Sequence, residues 1–311
     1  MQNKLFKNVI GQDSVKSLLS LYIDSYRHTE RLPFLNFIAS RGSGKSFMVR
    51  EFRENLRRKD DTRPPILEVN CATIKNARNF FDSIYPVWVN NNAFLFLDEV
   101  AELPHDLQSI FLTILEVKKD PVRVIDYEGI HYHFDFTKIS FSAATTDAQK
   151  IIQPLQDRLR AINLEEYNEE QLFEIFQNNL QNKIELLDCA KKDIMSSFRG
   201  NPRDVVVKAE DLKTFCSAKQ YNKITKEIWQ SFSKLMGILP LGLSHSEIMV
   251  VKAIGRLKEA SLTDVSSITG FDRSLIQKSL ESILVRKGLM SIQGKRVLTA
   301  NGTRFYHEFC K

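Results

Sequence analysis

Cysteine is scarce in these 311 residues: Cys71, Cys189, Cys216 and Cys310 are the only four, and they lie far apart. That spacing leaves no CxxC pair for zinc and no disulfide framework, so the thiols read as buried or idle. No apolar run is long enough to cross a bilayer, and the opening Met-Gln-Asn-Lys-Leu-Phe-Lys lacks the apolar stretch of a secretory signal. A cytoplasmic protein without membrane contact is expected. Internal repeats and low-complexity tracts are also missing, which excludes solenoids and disordered tails.

What is present is a globular composition. With 43% hydrophobic and 26% charged residues the chain can bury a sizeable core, and its length predicts two or three domains. The net charge of +6 is unevenly placed: residues 241–311 hold 11 Lys+Arg against 6 Asp+Glu, net +5, leaving 33 against 32 for 1–240. A basic small domain on a neutral large one points to a polyanion, with nucleic acid favoured over an ordinary solvated surface.

Short apolar runs alternate with helical patterns through the first half, which predicts an α/β fold with a parallel sheet. Five strands are expected, at Leu35–Ala39, Ile66–Asn70, Ala93–Leu97, Ile139–Ala144 and Ile162–Leu164. A hairpin over Val122–Phe136 should turn at Glu128-Gly129, with His131 and His133 on a solvent-facing edge rather than on a metal. From Glu165 the pattern is helical, and the next strand-like run comes only near the far end. Gly237–Gly242 reads as a linker, and Ser244-His245-Ser246-Glu247 as a capping box that opens a new helix.

The strongest chemical signal is Ala39-Ser40-Arg41-Gly42-Ser43-Gly44-Lys45-Ser46 between a strand and a helix. This is a P-loop with alanine in place of the first glycine. Gly42 and Gly44 let the backbone turn tightly so that N–H groups, Ser43 included, face phosphate oxygens. Lys45 would reach the β- and γ-phosphates of ATP, and Ser46 would hold Mg2+. A second apolar run, Ala93-Phe94-Leu95-Phe96-Leu97, ends in Asp98-Glu99. Asp98 would orient the metal and Glu99 would act as the base for the attacking water.

Further motifs follow in order: Val9-Ile10-Gly11-Gln12-Asp13, Val100 after the acidic pair, Ala144-Thr145-Thr146, Pro154-Leu155-Gln156-Asp157-Arg158, and Gly200-Asn201-Pro202-Arg203. In this order and spacing the chain resembles the RuvB family of AAA+ ATPases through nearly its whole length. The resemblance implies that Ile10 and Gly11 lie against the adenine and that Thr146 is sensor 1. It also makes Arg158 an arginine finger entering the neighbouring subunit's nucleotide. Pro202 and Arg203 would close the nucleotide pocket from a helical lid, Arg203 as sensor 2. A ring, expected to be hexameric, and a RuvA-like partner gripping the 122–136 hairpin are implied as well.

The C-terminal pattern reads as a winged helix: a helix over Ser246–Leu257, a short one over Leu262–Ile268, and a recognition helix capped by Asp272 and running to Arg286. Leu289–Ile292 and Arg296–Thr299 would form the wing. Arg273 and Lys278 on the recognition helix, with Lys295 and Arg296 at the wing tip, are the expected DNA contacts. A winged helix used for protein contacts is the weaker alternative.

Three domains are therefore expected: 1–164 for nucleotide binding, 165–236 as a lid, and 237–311 as a winged helix. Together they predict an ATP-driven motor acting on four-way junctions or duplex DNA. The alternatives are a loader of a clamp or helicase, and a DNA-binding scaffold whose ATPase has decayed. Ala39, Gln156 and Ala101 replace a family glycine, arginine and histidine. Departures of this kind fit a divergent member, such as one carried by a phage.

Overall fold

The computed structural model describes residues 5–116, 120–180 and 184–310. One compact unit ends at Tyr167 and a second begins at Asn168.

In chain order the first unit contains β1 (Leu35–Ile38), β2 (Ile66–Asn70), β3 (Phe94–Asp98), the hairpin strands β4 (Val122–Tyr127) and β5 (Ile130–Asp135), β6 (Ser140–Thr145) and β7 (Arg160–Asn163). Five of them form a sheet in the order β2-β3-β6-β1-β7, every neighbouring pair parallel. The expected strands are all present, with ends displaced by one or two residues. Both faces are covered, which is why β3 reads as an unbroken apolar run. Phe94 and Phe96 enter one core with Leu19, Phe37, Met48 and Phe52, while Leu95 and Leu97 enter another with Trp88, Phe111 and Phe141. At about 1.5–3 kcal/mol for each fully buried side chain, these two cores outweigh any exposed ion pair, worth roughly 0–1 kcal/mol.

Three adjacent strands, β3, β6 and β1, finish at the same edge of the sheet. Ligands of open α/β sheets bind at such carboxyl ends. The hairpin turns at Glu128 (φ 52°) and Gly129 (φ 79°), as expected. Tyr85 clamps it to the second core, its hydroxyl accepting from His133 N and donating to His133 O, both at 3.0 Å. His131 and His133 are exposed.

The second unit begins with helices Glu169–Leu180, Asp188–Ser196, Pro202–Lys219 and Lys226–Met236. Two short strands, Glu185–Leu186 and Lys223–Ile224, pair in parallel where the pattern predicted helix alone. Helices His245–Leu257 and Leu262–Thr269 follow, then a helical stretch over 273–286 containing one π turn, Ile276–Leu280. The capping box is formed: Ser244 accepts from Glu247 N, and Glu247 accepts from Ser244 N. Asp272 holds the N-cap position but makes no side-chain cap; its carboxylate accepts from the Ser274 hydroxyl at 2.7 Å instead. The wing strands Met290–Gln293 and Lys295–Leu298 gain a third, Glu259–Ala260, and helical residues 300–310 follow the wing.

Candidate functional site

The loop after β1 turns on Gly42 (φ 80°) and Gly44 (φ 92°), a backbone region that favours glycine. Ala39 is not among the positive-φ residues, so its position makes no such demand. The Lys45 side chain is buried and donates to the carbonyls of Ala39 (3.0 Å) and Ser40 (3.3 Å). Burial pushes its ammonium below the ordinary lysine value, and the nearby carboxylates of Glu99 and Asp98 oppose that shift. Ser43, also buried, bonds Ser40 O at 2.6 Å and steadies the loop.

Across the β1–β6–β3 edge, Ser46 Oγ donates to Asp98 Oδ2 at 2.9 Å. Glu99 follows at φ 54°, a left-handed conformation uncommon outside glycine and a form of strain that gathers at functional sites. Its carboxylate accepts from Thr146 Oγ1 at 3.2 Å and Thr146 N at 3.4 Å. Lys45, Ser46, Asp98, Glu99 and Thr146 thus converge from three strand ends.

Sequence reasoning missed two residues here. Gln12, 2% exposed, donates to Glu165 O at 2.8 Å and accepts from Glu165 N at 2.9 Å, clasping a segment 153 residues away. Beyond that clasp, the Tyr167 hydroxyl lies 3.9 Å from the point a Gly44 Cβ would occupy. Burial raises the Tyr167 phenol, and a Gln12 hydrogen bond draws it the other way. The Gly-Gln pair was the only sequence signal. Ile10 and Gly11 sit half-buried just before Gln12.

Arg158 lies elsewhere. It precedes β7, whose Arg160 aligns with Leu35 at the start of β1, whereas the P-loop follows Ile38 at the end. The four residues of β1 separate the two ends, roughly 13 Å. Its Nη1 donates to Pro154 O at 2.7 Å, and it lines a cleft of about 520 Å³ with Arg31, Arg123 and Arg160. The Gln156 amide donates to Ile151 O at 2.6 Å, and Ala101 packs against the second core. In the other unit, Pro202 starts a helix, and exposed Arg203 donates its N–H to the Asn201 cap at 2.9 Å.

On the winged helix, Arg273, Lys278 and Lys295 are exposed, Lys295 beside Glu259 at 3.1 Å. Arg296 is a correction: it is 8% exposed, and its Nε meets Glu281 Oε1 at 2.7 Å inside the domain. Strand alternation sends Lys295 outward and Arg296 inward, so the two cannot both face a phosphate.

No family model matches the chain. Curated relatives do. The Holliday junction branch migration complex subunit RuvB of Mycoplasmopsis pulmonis is 23% identical over 295 residues, covering 92% of this chain and 91% of that protein. Its counterpart in Lactococcus lactis is 21% identical, with 96% and 90% covered. The solved Thermotoga maritima RuvB Holliday junction branch migration motor superposes with a TM-score of 0.73 at 19% identity, covering 98% of this chain and 96% of that one. This chain is RuvB-like in sequence and in fold. Coverage of this extent means that the likeness runs through both units.

Proposed function

We propose that this chain is an ATP-driven DNA motor of the RuvB type, working on four-way junctions or duplex DNA. The observation that carries the reading is the convergence of Lys45, Ser46–Asp98 and Glu99–Thr146 on one sheet edge. Such a constellation positions a nucleoside triphosphate and its attacking water. On binding, Lys45 exchanges the Ala39 and Ser40 carbonyls for β- and γ-phosphate oxygens, while N–H groups of Gly42, Ser43 and Gly44 cradle the phosphates. Hard oxygen donors from Ser46 and Asp98 suit Mg2+, which would neutralise charge on the β- and γ-oxygens. Glu99, oriented by Thr146, accepts a proton from water as its oxygen bonds the γ-phosphorus and the bond to ADP breaks. Ile10, Gly11 and Tyr167 bound the adenine side, and Pro202 and Arg203 are read, from the resemblance alone, as the lid residues that would close on the nucleotide.

Arg158 stands at the wrong end of its own sheet to serve its own nucleotide. It therefore acts in a neighbouring subunit, where an arginine finger is worth ~10³ to 10⁵ in rate. That arrangement requires a ring, for which six copies is our reading. Residues 1–164, 165–236 and 237–311 serve as motor base, lid and winged helix, with Arg273, Lys278 and Lys295 on DNA phosphates. Val122, Val124 and Ile130 are exposed on the hairpin and offer an apolar grip to a RuvA-like partner. The intact lysine, acidic pair and Thr146 favour turnover over a decayed scaffold. Phosphate release measured with and without junction DNA tests the reading. Stimulation that Lys45→Ala abolishes is expected, and turnover unaffected by that change would overturn it.

A further inference from the structure

The stretch just before Gly200-Asn201-Pro202-Arg203 is held from several sides by the winged-helix segment. Arg199 Nη2 and Nη1 donate to the two carboxylate oxygens of Glu247 at 2.6 and 3.2 Å. Glu247, 1% exposed, is also the capping-box residue of helix His245–Leu257, accepting from Ser244 N at 2.7 Å. Arg199 reaches the Gly242 carbonyl too, at 3.1 Å. A Cβ on Gly242 would meet Ser197 O at 2.1 Å, and one on Gly200 would meet Arg286 Nη1 at 2.9 Å. Lys287 and Lys208 donate to Ser196 O and Ser197 O, both at 2.9 Å. These ammoniums satisfy carbonyls at the C-terminal end of helix Asp188–Ser196, where cations are favoured. Gly237–Gly242 is therefore no loose tether: its end is pinned against residues 197–199.

We propose that Arg199 and Glu247 are positioning residues that seat the winged helix on the base of the Arg203 loop. Lid and winged helix then turn as one body, and load on the recognition helix is felt at Arg203. A bidentate pair whose carboxylate is buried and also serves in a helix cap is suited to this, because loss of half-buried Arg199 strands the Glu247 charge. The functional half of the inference rests on the motor reading; the rigid seat does not.

Two spin labels test the seat directly, one on exposed Cys189 and one at Ser282→Cys on the recognition helix; Cys71, Cys216 and Cys310 are buried. The expected result is one narrow distance, unchanged by a slowly hydrolysed ATP analogue or by duplex DNA. A broad or shifting distance in the otherwise unaltered chain overturns the rigid seat. Arg199→Met with Glu247→Gln removes both charges together and keeps a capping side chain, so folding, checked by melting, is retained. In that variant the distance should broaden, and DNA stimulation of ATP turnover should fall at least about fivefold, with DNA affinity held. Parent-like stimulation and a narrow distance in the double variant overturn the proposal. Absence of DNA stimulation in the parent sinks the motor reading instead, and the distance measurement still judges the seat.

Discussion

The Thr146 hydroxyl donates to Glu99 Oε2 across 3.2 Å, joining the end of β6 to the end of β3. The contact sets where the Glu99 carboxylate points, so the two residues should fail differently. Glu99→Gln should bind ATP normally and lose about 10² or more in kcat, within the range general bases supply. Thr146→Val keeps the base but frees its orientation, so a smaller kcat loss with little change in KM is expected. Steady-state kinetics of both variants decide the matter, and a normal kcat in Glu99→Gln removes Glu99 from the chemistry.

Lys45 gives a pH dependence of defined sign. Its ammonium is held below the ordinary lysine value by burial, against the pull of Glu99 and Asp98. Phosphates favour the charged form, so nucleotide affinity should be full below the lowered value and fall as pH rises through it. The fall starts below the usual lysine range. Folding stability runs the other way: between the lowered and the ordinary value the unfolded chain holds more protons, and stability rises with pH. Fluorescent ATP-analogue titrations from neutral to strongly alkaline pH should show the decline, and an affinity that strengthens there contradicts it.

For Arg158 the test is complementation. Arg158→Ala should keep nucleotide binding while losing ~10³ or more in turnover. Mixed with Glu99→Gln subunits, it should regain activity, because sites form with an intact base from one protomer and an intact arginine from the next. Mixtures no more active than the separate variants would place Arg158 outside a shared site.

The winged helix separates stability from binding. Arg296→Ala strands the buried Glu281 carboxylate and should destabilise the domain by about 3–5 kcal/mol, seen in denaturant melts. Arg273→Ala and Lys278→Ala should leave melting unchanged, weaken DNA binding, and each flatten its dependence on log salt by nearly one counterion. A DNA-binding loss in Arg296→Ala without destabilisation would return that residue to the surface.

Much of this molecule was legible because neighbours in the chain decide it. The P-loop, the acidic pair after an apolar strand, the Glu128-Gly129 turn and the Ser244–Glu247 cap each depend on residues a few positions apart. Tertiary structure decided what depends on distant partners. Arg296 looked like a wing-tip cation until strand register turned it onto Glu281, and the Gln12 clasp on Glu165 spans 153 residues. The pinned end of the Gly237–Gly242 segment belongs with these: glycine and proline announce a break in pattern, but only packing shows whether that break is free to move.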